Sequence, residues 1–167
     1  FYKLLNNIKY YIESDLVKSI YKISDFDNQK ECEINSKKII FPYRVFNNKS
    51  SIISQQDLQQ LYPNTFKYFE KIKNELLERA KENTLNPFYI YGRSQGLNKF
   101  GIRLLTPTFS QKPKFLKVIE KDSLYCNGYG LHYNIDQNKA TLFDNKPIQN
   151  PERIDLLQRI LNSIVMH

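Results

Sequence analysis

The sequence predicts a mixed α+β fold, and three observations lead to that class. Apolar side chains recur at helical spacing over residues 63–81 and again after residue 150. Between these segments the pattern changes to short β-branched and aromatic runs that are separated by turn residues. The predicted strands follow one another too closely to leave room for the helical crossovers of a parallel α/β sheet.

The beginning of the chain predicts little regular structure. Residues 2–27 alternate short apolar clusters with Lys and Asn and show no clear period. The apolar run 39–41 predicts a short strand, which ends at Pro42 because proline has no N–H to donate to a strand neighbour. The polar run 47–51 predicts a loop.

Two helices are predicted next. Ser54 stands three residues before Asp57, an acidic version of the capping box, and predicts a short helix that ends near Leu61. Pro63 suits the first turn of a longer helix that runs to about Lys81. The longer helix carries an apolar stripe, which predicts a face packed into the core. The stripe consists of Phe66, Phe69, Ile72, Leu76 and Arg79–Ala80.

The remainder of the chain predicts a sheet and a last helix. The predicted strands are 88–91, 102–105, 115–119, 131–133 and 140–143. Turn residues separate them at 94–96, 111–113, 127–128 and 136–138. Asn150 as N-cap and Pro151 at the first helical position begin the final helix. Its predicted buried stripe is Ile154, Leu157, Ile160–Leu161 and Ile164.

Composition and charge narrow the class of protein. Lys and Arg total 25 against 17 Asp and Glu, so the formal charge of +8 favours an anionic partner. An aromatic content of 14% argues against intrinsic disorder. Cys32 and Cys126 lie far apart without a CxxC motif, which predicts reduced thiols in the cytoplasm rather than a disulfide or a zinc site. No apolar run reaches the roughly 18 residues of a membrane span.

Both ends of the sequence predict a piece of a longer protein. The chain begins at Phe1 without an initiator Met, and residues 164–167 continue an apolar helical pattern.

Two patterns that resemble catalytic motifs are incomplete. Residues 86–89 differ by one residue from the Asn-Pro-Pro-Tyr motif of amino-methyltransferases, but no Gly-rich cofactor turn precedes them. Asp136, Asp144 and Lys146 match a nuclease spacing only loosely, and turn formation explains these aspartates better. The sequence therefore predicts no catalytic residue and no metal ligand in this chain.

Basic, polar and aromatic side chains recur on the predicted strand ends and loops. Arg forms two hydrogen bonds with the edge of guanine, and Asn or Gln does the same with adenine. Lys and Tyr form hydrogen bonds with phosphate oxygens. The set therefore predicts a DNA interface, and on composition alone an ordinary solvated face is the alternative. Its members are Tyr43, Arg44, Tyr91, Arg93, Ser94, Gln95, Asn98, Lys99, Lys112, Lys114, Asn127 and Tyr129.

The run Tyr91-Gly92-Arg93-Ser94-Gln95-Gly96-Leu97 carries a resemblance to a known family. Together with other blocks, it resembles the target recognition domain of type II restriction-modification enzymes. It looks like the TaqI-like specificity domain attached to N6-adenine methyltransferases and to fused nuclease-methyltransferases. The further blocks that match in order are 39–43, 61–68, 73–79, 104–107, 112–115, 127–130 and Leu157 with 160–163. Phe88 stands where the family often has Trp.

The resemblance implies an architecture and a mechanism. It implies one domain with a curved, mostly antiparallel or mixed sheet flanked by helices, cut from a longer enzyme. Residues 1–36 would be a lead-in, 37–150 the helix pair and sheet core, and 151–167 the start of a C-terminal helix. The domain would read base edges in the major groove of double-stranded DNA while a target adenine is flipped out. Base readers would be Arg44, Arg93, Gln95, Asn98 and Asn127, and backbone contacts Tyr43, Tyr91, Lys99, Lys112 and Lys114.

The resemblance also implies what the parent enzyme supplies. Its methyltransferase part would use S-adenosyl-methionine, and a fused nuclease would use Mg²⁺, whereas this chain holds no cofactor and is not itself an enzyme. The other domains of the same polypeptide would be its protein partners, with no membrane involved. The alternative from another class is a protein-interaction or structural module without nucleic-acid contact. A catalytic fragment is a third interpretation, and S-adenosyl-methionine binding would revive it.

Overall fold

A computed structural model describes residues 1–47, 49–78, 87–92, 96–132 and 151–163. Within these ranges the chain is mixed α+β, which confirms the predicted class. The strands in the described residues form four small sheets, mostly antiparallel, and among these sheets none closes into a barrel. Several predictions fall outside the described residues, namely those for Arg79–Ala80, the turns 94–96 in part and 136–138, the strand 140–143, Asn150 and Ile164.

The elements alternate between short strands and short helices. In chain order they are β1 (Tyr2–Leu5), β2 (Ile8–Tyr11), β3 (Val17–Lys22), α1 (Gln29–Glu33), β4 (Lys38–Ile40), β5 (Tyr43–Phe46), β6 (Lys49–Ile52), α2 (Gln55–Leu61), α3 (Pro63–Lys71), α4 (Lys73–Glu78), β7 (Arg103–Pro107), β8 (Leu116–Val118), β9 (Ser123–Cys126), β10 (Gly128–His132) and α5 (Pro151–Ser163). The chain divides into two compact units. The first unit comprises 1–18 and 38–99, and the second comprises 19–37 and 100–167.

Asparagines form the turns of two hairpins in the first unit. Asn6 and Asn7 join β1 to β2 with φ values of 49° and 62°, the mirror-image turn that suits the twist of a hairpin. Asn47, with φ of 48°, begins the turn between β5 and β6. The loop predicted over 47–51 is therefore too long, because Ser50 and Ser51 pair with β5.

The helix pair begins where the sequence predicts. The Ser54 hydroxyl accepts the N–H of Asp57 at 3.0 Å and caps α2. The longer predicted helix is divided at Ile72 into α3 and α4. Phe69, Ile72 and Leu76 of the predicted stripe are buried in one core cluster, which confirms that this face points inward.

The strand predicted over residues 88–91 is wrong. The Ile90 N–H donates to the Pro87 carbonyl at 3.0 Å, so the chain turns here. Phe88 and Tyr89 are both buried, whereas consecutive strand residues face opposite sides. The Tyr89 ring stacks on Phe69 with centroids 5.3 Å apart, and its hydroxyl donates to the Ile53 carbonyl at 2.7 Å. Packing against the helix pair thus overrides the local strand preference.

Helix α3 is capped by a residue from a distant part of the chain. The Glu13 carboxylate accepts the N–H groups of Asn64 and Thr65, each at 2.9 Å, and also the Thr65 hydroxyl. The Glu13 N–H in turn donates to the Thr65 hydroxyl oxygen at 3.3 Å. Burial raises the pKa of Glu13, but the hydrogen bonds from Thr65 and Asn64 outweigh it and hold the pKa below 4.5.

Two small sheets organise the second unit. Strand β7 is central in the antiparallel sheet β10–β7–β8, and Ser19–Lys22 of β3 runs parallel to β9. Strands β7 and β8 confirm the predictions over 102–105 and 115–119, within one to two residues at their ends. Strand β9 has no counterpart in the predictions, and β10 begins three residues earlier than predicted, directly after the turn at Asn127.

A fully buried arginine of β7 contacts β9 of the other sheet. Arg103 of β7 has no exposed surface, and its Nη2 donates to the Ser123 carbonyl at 2.7 Å and to the Ser123 hydroxyl. Its guanidinium carbon lies 5.3 Å from the centroid of the Tyr125 ring. Burial lowers the pKa of Arg103, while Tyr125, Tyr21 and Glu120 act in the opposite direction. Its Nη2 is therefore bonded to β9 rather than to solvent, whereas the buried Nε has no hydrogen-bond partner among the described residues.

The buried stripe predicted for the last helix is confirmed at Ile154 and wrong at Leu157 and Ile160, while Leu161 is half-buried. In α5 Ile154 is buried, but Leu157 and Ile160 are 40% and 50% exposed. Polar contacts attach this helix to the segment before β8. The Asn162 side chain accepts the Phe115 N–H at 2.9 Å and donates to the Phe115 carbonyl at 3.1 Å, as a neighbouring strand would. Asp155 forms an ion pair with Lys117.

Replacing Glu13 with Gln tests the cap. Because the folded pKa of Glu13 is depressed, its charge stabilises the fold above pH 4.5 and this contribution is lost as pH falls through the folded pKa. Glu13→Gln should lower the free energy of unfolding by about 1 kcal/mol at pH 7. The difference from the wild type should shrink as pH falls below 4.5, as measured by urea denaturation. Glu78→Gln on the exposed surface of α4 is the matched control, and a loss equal to that of the control would contradict the cap.

Replacing Gly128 with Ala tests close packing at the start of β10. A Cβ at Gly128 would lie 2.2 Å from the Thr106 carbonyl oxygen and 2.7 Å from Ile23 Cδ1. We therefore expect a loss of about 1–3 kcal/mol in the free energy of unfolding. Gly92→Ala is the control, because a Cβ there meets nothing within 4 Å. Equal free energies of unfolding for the two variants would show that a Cβ fits at residue 128 and that the packing does not require glycine there.

Candidate nucleic-acid interface

Two of the predicted site residues, Tyr43 and Tyr91, contact each other in the first unit. The Tyr43 hydroxyl oxygen accepts the Tyr91 N–H at 2.7 Å, and the ring centroids lie 5.1 Å apart. Phe41 packs on Tyr43 at 5.2 Å, and the Tyr91 hydroxyl donates to the Ile40 carbonyl. The strand 38–40, the start of β5 and the segment around Tyr91 are therefore fastened together.

The structure corrects the role predicted for Tyr43. Its side chain is 8% exposed, and burial raises the pKa of its hydroxyl, although the hydrogen bond from Tyr91 lowers it. The phosphate contact predicted from sequence needs an accessible hydroxyl. Tyr43 is instead a core residue, and Tyr91 is a half-buried one that shares this packing.

Arg44 follows Tyr43 directly and points to the surface. Its side chain is 52% exposed, and its Nη1 lies 3.2 Å from Asp57 Oδ2 in the first turn of α2. An exposed ion pair of this kind contributes about 0–1 kcal/mol. The ion pair therefore orients the guanidinium of Arg44, is weak enough to be exchanged for another partner, and leaves the guanidinium accessible.

The run of residues 91–97 is called the Gly-Arg block below. Its centre lies outside the described residues and consists of Arg93, Ser94 and Gln95. The structure describes both sides of it. Gly92 is exposed, and Gly96 has a φ of 80°, a left-handed conformation that glycine adopts without strain. The Lys99 N–H donates to the Gly96 carbonyl at 3.0 Å, and Leu97 anchors this turn in the interior. Lys99 is exposed and Asn98 is half-buried.

The other four candidates belong to the second unit. Lys112 and Asn127 are exposed, and Tyr129 on β10 is 62% exposed. Asn127 has a φ of 61° in the β9–β10 turn, and its Nδ2 donates to the Ser24 hydroxyl at 3.3 Å. Lys114 is half-buried, and its Nζ donates to the Phe26 carbonyl at 2.8 Å, which leaves two of its three N–H donors for the predicted phosphate contact. Of the four candidates in this unit, three are therefore exposed, namely Lys112, Asn127 and Tyr129.

The β1–β2 hairpin carries an exposed aromatic and basic face that the sequence analysis missed. Tyr2 lies opposite Tyr11 and Leu4 opposite Lys9, so these four side chains share one face. The Lys9 Nζ lies 4.9 Å from the centroid of the exposed Tyr2 ring. The Asn6-Asn7 pair between two alternating runs is the sequence signal that predicts such a hairpin.

Comparisons with known proteins do not assign the chain to a family. No protein-family profile matches it, and no curated protein matches it significantly. In the part of the chain that the structure describes, no group of three His, Cys, Asp or Glu side chains is arranged to hold a metal ion. Within those same ranges, none of the helices has the length and apolar character needed to cross a membrane.

Replacing Tyr43 with Phe tests the contact that joins the two segments. The variant keeps the ring but removes the hydroxyl oxygen that accepts the Tyr91 N–H. Leaving that donor unpaired should lower the free energy of unfolding by about 1–3 kcal/mol. Tyr129→Phe, on an exposed ring, is the control and should change it by less than about 0.5 kcal/mol. Similar stabilities for the two variants in urea denaturation would contradict this role.

Proposed function

We propose that this chain is the sequence-specific double-stranded DNA recognition domain of a type II restriction-modification enzyme. It directs N6-adenine methylation by its parent enzyme, and also cleavage where a nuclease is fused. The chain itself contributes no catalytic residue and no cofactor. S-adenosyl-methionine, and Mg²⁺ for a nuclease, belong to the other domains of the same cytoplasmic polypeptide.

The observation that carries the proposal is the pairing of the sequence blocks on which the resemblance rests. In the first unit, block 39–43 contacts Tyr91 of the Gly-Arg block. In the second unit, Gly128–Gly130 pairs with Leu105–Pro107 in adjacent strands. The Asn162 side chain forms hydrogen bonds with both the N–H and the carbonyl of Phe115. Blocks that are far apart in the sequence therefore contact one another in the fold, as we expect of blocks that together form a family signature.

The Tyr43–Tyr91 contact also supports a reading role for the residues that follow each tyrosine. Arg44 comes directly after Tyr43, and Arg93 comes two residues after Tyr91. Both tyrosines are held by packing and by hydrogen bonds to the main chain. Base readout needs side chains that start from a rigid support, because a bidentate contact tolerates little displacement.

The remaining candidates divide into two roles. Arg44, Arg93, Gln95, Asn98 and Asn127 are the proposed base readers. Lys99 and Lys112 are exposed and are the proposed phosphate contacts, since Lys carries charge without base discrimination. Tyr43 leaves this set because it is buried, whereas Lys114 keeps two N–H donors and stays a proposed phosphate contact. The formal charge of +8 supplies a general attraction to DNA.

A second candidate function is a protein-interaction module. Leu156, Leu157 and Ile160 of α5 are 40–57% exposed, and Leu131 of β10 is 47% exposed. Exposed apolar side chains of this kind are typical of surfaces that contact another protein. A folded chain that fails to bind DNA at low salt would favour this function over DNA recognition.

Selection from a randomised duplex pool tests the proposed function. The chain is incubated with the pool at two salt concentrations, and bound duplexes are enriched over several rounds and sequenced. We expect one enriched motif, with an affinity that falls steeply as salt rises. Binding without enrichment, or no binding by a sample shown to be folded, would contradict sequence-specific recognition by this chain.

Single substitutions then separate readout from positioning on the enriched duplex. Arg93→Ala should relax the preference at one base pair and cost about 1–3 kcal/mol in binding. Lys99→Ala should weaken binding to all sequences alike and reduce the salt slope by about one. If Arg93→Ala also weakens all sequences alike, Arg93 contacts phosphate and is not a base reader.

A further inference from the structure

The β5–β6 hairpin is held at its base by the core of the first unit. Tyr43 is buried at the start of β5, and the Ile53 N–H, directly after β6, donates to the Pro42 carbonyl at 2.9 Å. Beyond this base the next residues of β5, Arg44–Phe46, are all exposed, so side chains on both faces of the strand reach solvent. The hairpin is therefore anchored at one end and accessible towards its turn.

One face of this hairpin combines basic groups with an aromatic ring. Arg44 lies opposite Ser51 and Phe46 opposite Lys49, so these four side chains share a face, which we call the ribbon face. All four residues are exposed, and Phe46 is 77% exposed. Val45 lies between Arg44 and Phe46 and therefore belongs to the opposite face.

The charge of the ribbon face favours nucleic acid, and its two basic residues suit different parts of it. Lys49 is an exposed ammonium group without base discrimination, as a phosphate contact requires. Arg44 Nη1 lies 3.2 Å from Asp57 Oδ2, and this ion pair engages one nitrogen of a guanidinium that carries five N–H donors. A phosphate beside Asp57 would be repelled, whereas the uncharged edge of a base can share the guanidinium with it.

The dimensions of a two-stranded ribbon match the major groove of DNA. That groove is about 12 Å wide and admits a β-ribbon. Side chains two residues apart on a strand are separated by about 7 Å, which corresponds to about two base-pair steps. Arg pairs with the edge of guanine, and a Phe ring contacts the methyl group of thymine. Arg44 and Phe46 can therefore reach neighbouring bases in one groove.

We propose that the ribbon face lies in the major groove and that Phe46 recognises a thymine through its 5-methyl group. Arg44 contacts a guanine about two base pairs away, and Lys49 contacts a phosphate of the same site. Phe46 and Lys49 thereby become DNA contacts in addition to those already proposed. This inference rests on the proposed function, because it names bases that the recognition domain reads.

Replacing thymine with deoxyuracil in the enriched duplex removes only the methyl group. At one thymine, about two base pairs from the position that Arg44→Ala relaxes, wild-type binding should weaken about fourfold, the equivalent of one buried methyl group. Phe46→Ala should bind the thymine and deoxyuracil duplexes equally, because the ring that contacts the methyl group is absent. Val45→Ala, on the opposite face, is the matched control and should keep the fourfold difference of the wild type. A motif without such a thymine, or a difference that persists in Phe46→Ala, would overturn the inference.

The salt dependence of binding tests the phosphate contact of Lys49. Lys49→Gln should reduce the slope of affinity against salt by about one. Lys67→Gln, at an exposed position on α3, is the control and should leave the slope unchanged. Equal slopes for the two variants would contradict the phosphate contact.

The outcomes separate this inference from the proposed function. If selection enriches a motif but Phe46→Ala and Lys49→Gln bind it as the wild type does, the inference is wrong and sequence-specific recognition stands. If selection enriches no motif, both are wrong. Because Phe46 and Lys49 are exposed, both variants should keep the wild-type free energy of unfolding in urea, so a loss of binding is not a loss of folding.

Discussion

In the first unit the rings of Tyr43 and Tyr91 lie 5.1 Å apart, and one hydrogen bond joins residues that are 48 positions apart in the sequence. This contact fixes where β5 begins and where the Gly-Arg block leaves the core. Arg44 and Gly92 are the next residues along each segment, and both are exposed. The proposed readout therefore depends on the contact between Tyr43, which is buried, and Tyr91, which is half-buried.

Contacts of the same kind hold the other parts of each unit. Glu13 caps α3 across 52 positions, and Arg103 of β7 bonds to Ser123 of β9 inside the second unit. The Glu13 carboxylate and the Nη2 of Arg103 each have more than one hydrogen-bond partner, which compensates in part for the loss of water. Short strands and helices, which are weak alone, are stabilised by these long-range polar contacts as well as by the apolar clusters.

Sequence patterns that involve only neighbouring residues predicted the features of the fold that depend on neighbouring residues. The Ser54 cap and the apolar stripe of α3 and α4 need only neighbouring residues, and both are confirmed. The strand at Phe88–Tyr91 was wrong because packing against Phe69 decides that segment. Similarly, five of the nine candidate residues that the structure describes are exposed polar residues, as expected for surface loops. The surroundings of Tyr43 and Lys114, by contrast, depend on partners 48 and 88 positions away that no local pattern contains.

The most direct measurement is an NMR map of the amide groups that shift when the chain binds its enriched duplex. The account predicts shifts at Arg44, around Gly92–Lys99, and at Lys112, Asn127 and Tyr129, while the buried Tyr43 and Arg103 change little. Shifts concentrated on Leu156, Leu157 and Ile160 of α5 would contradict it, because that surface carries the protein-interaction alternative and none of the proposed DNA contacts.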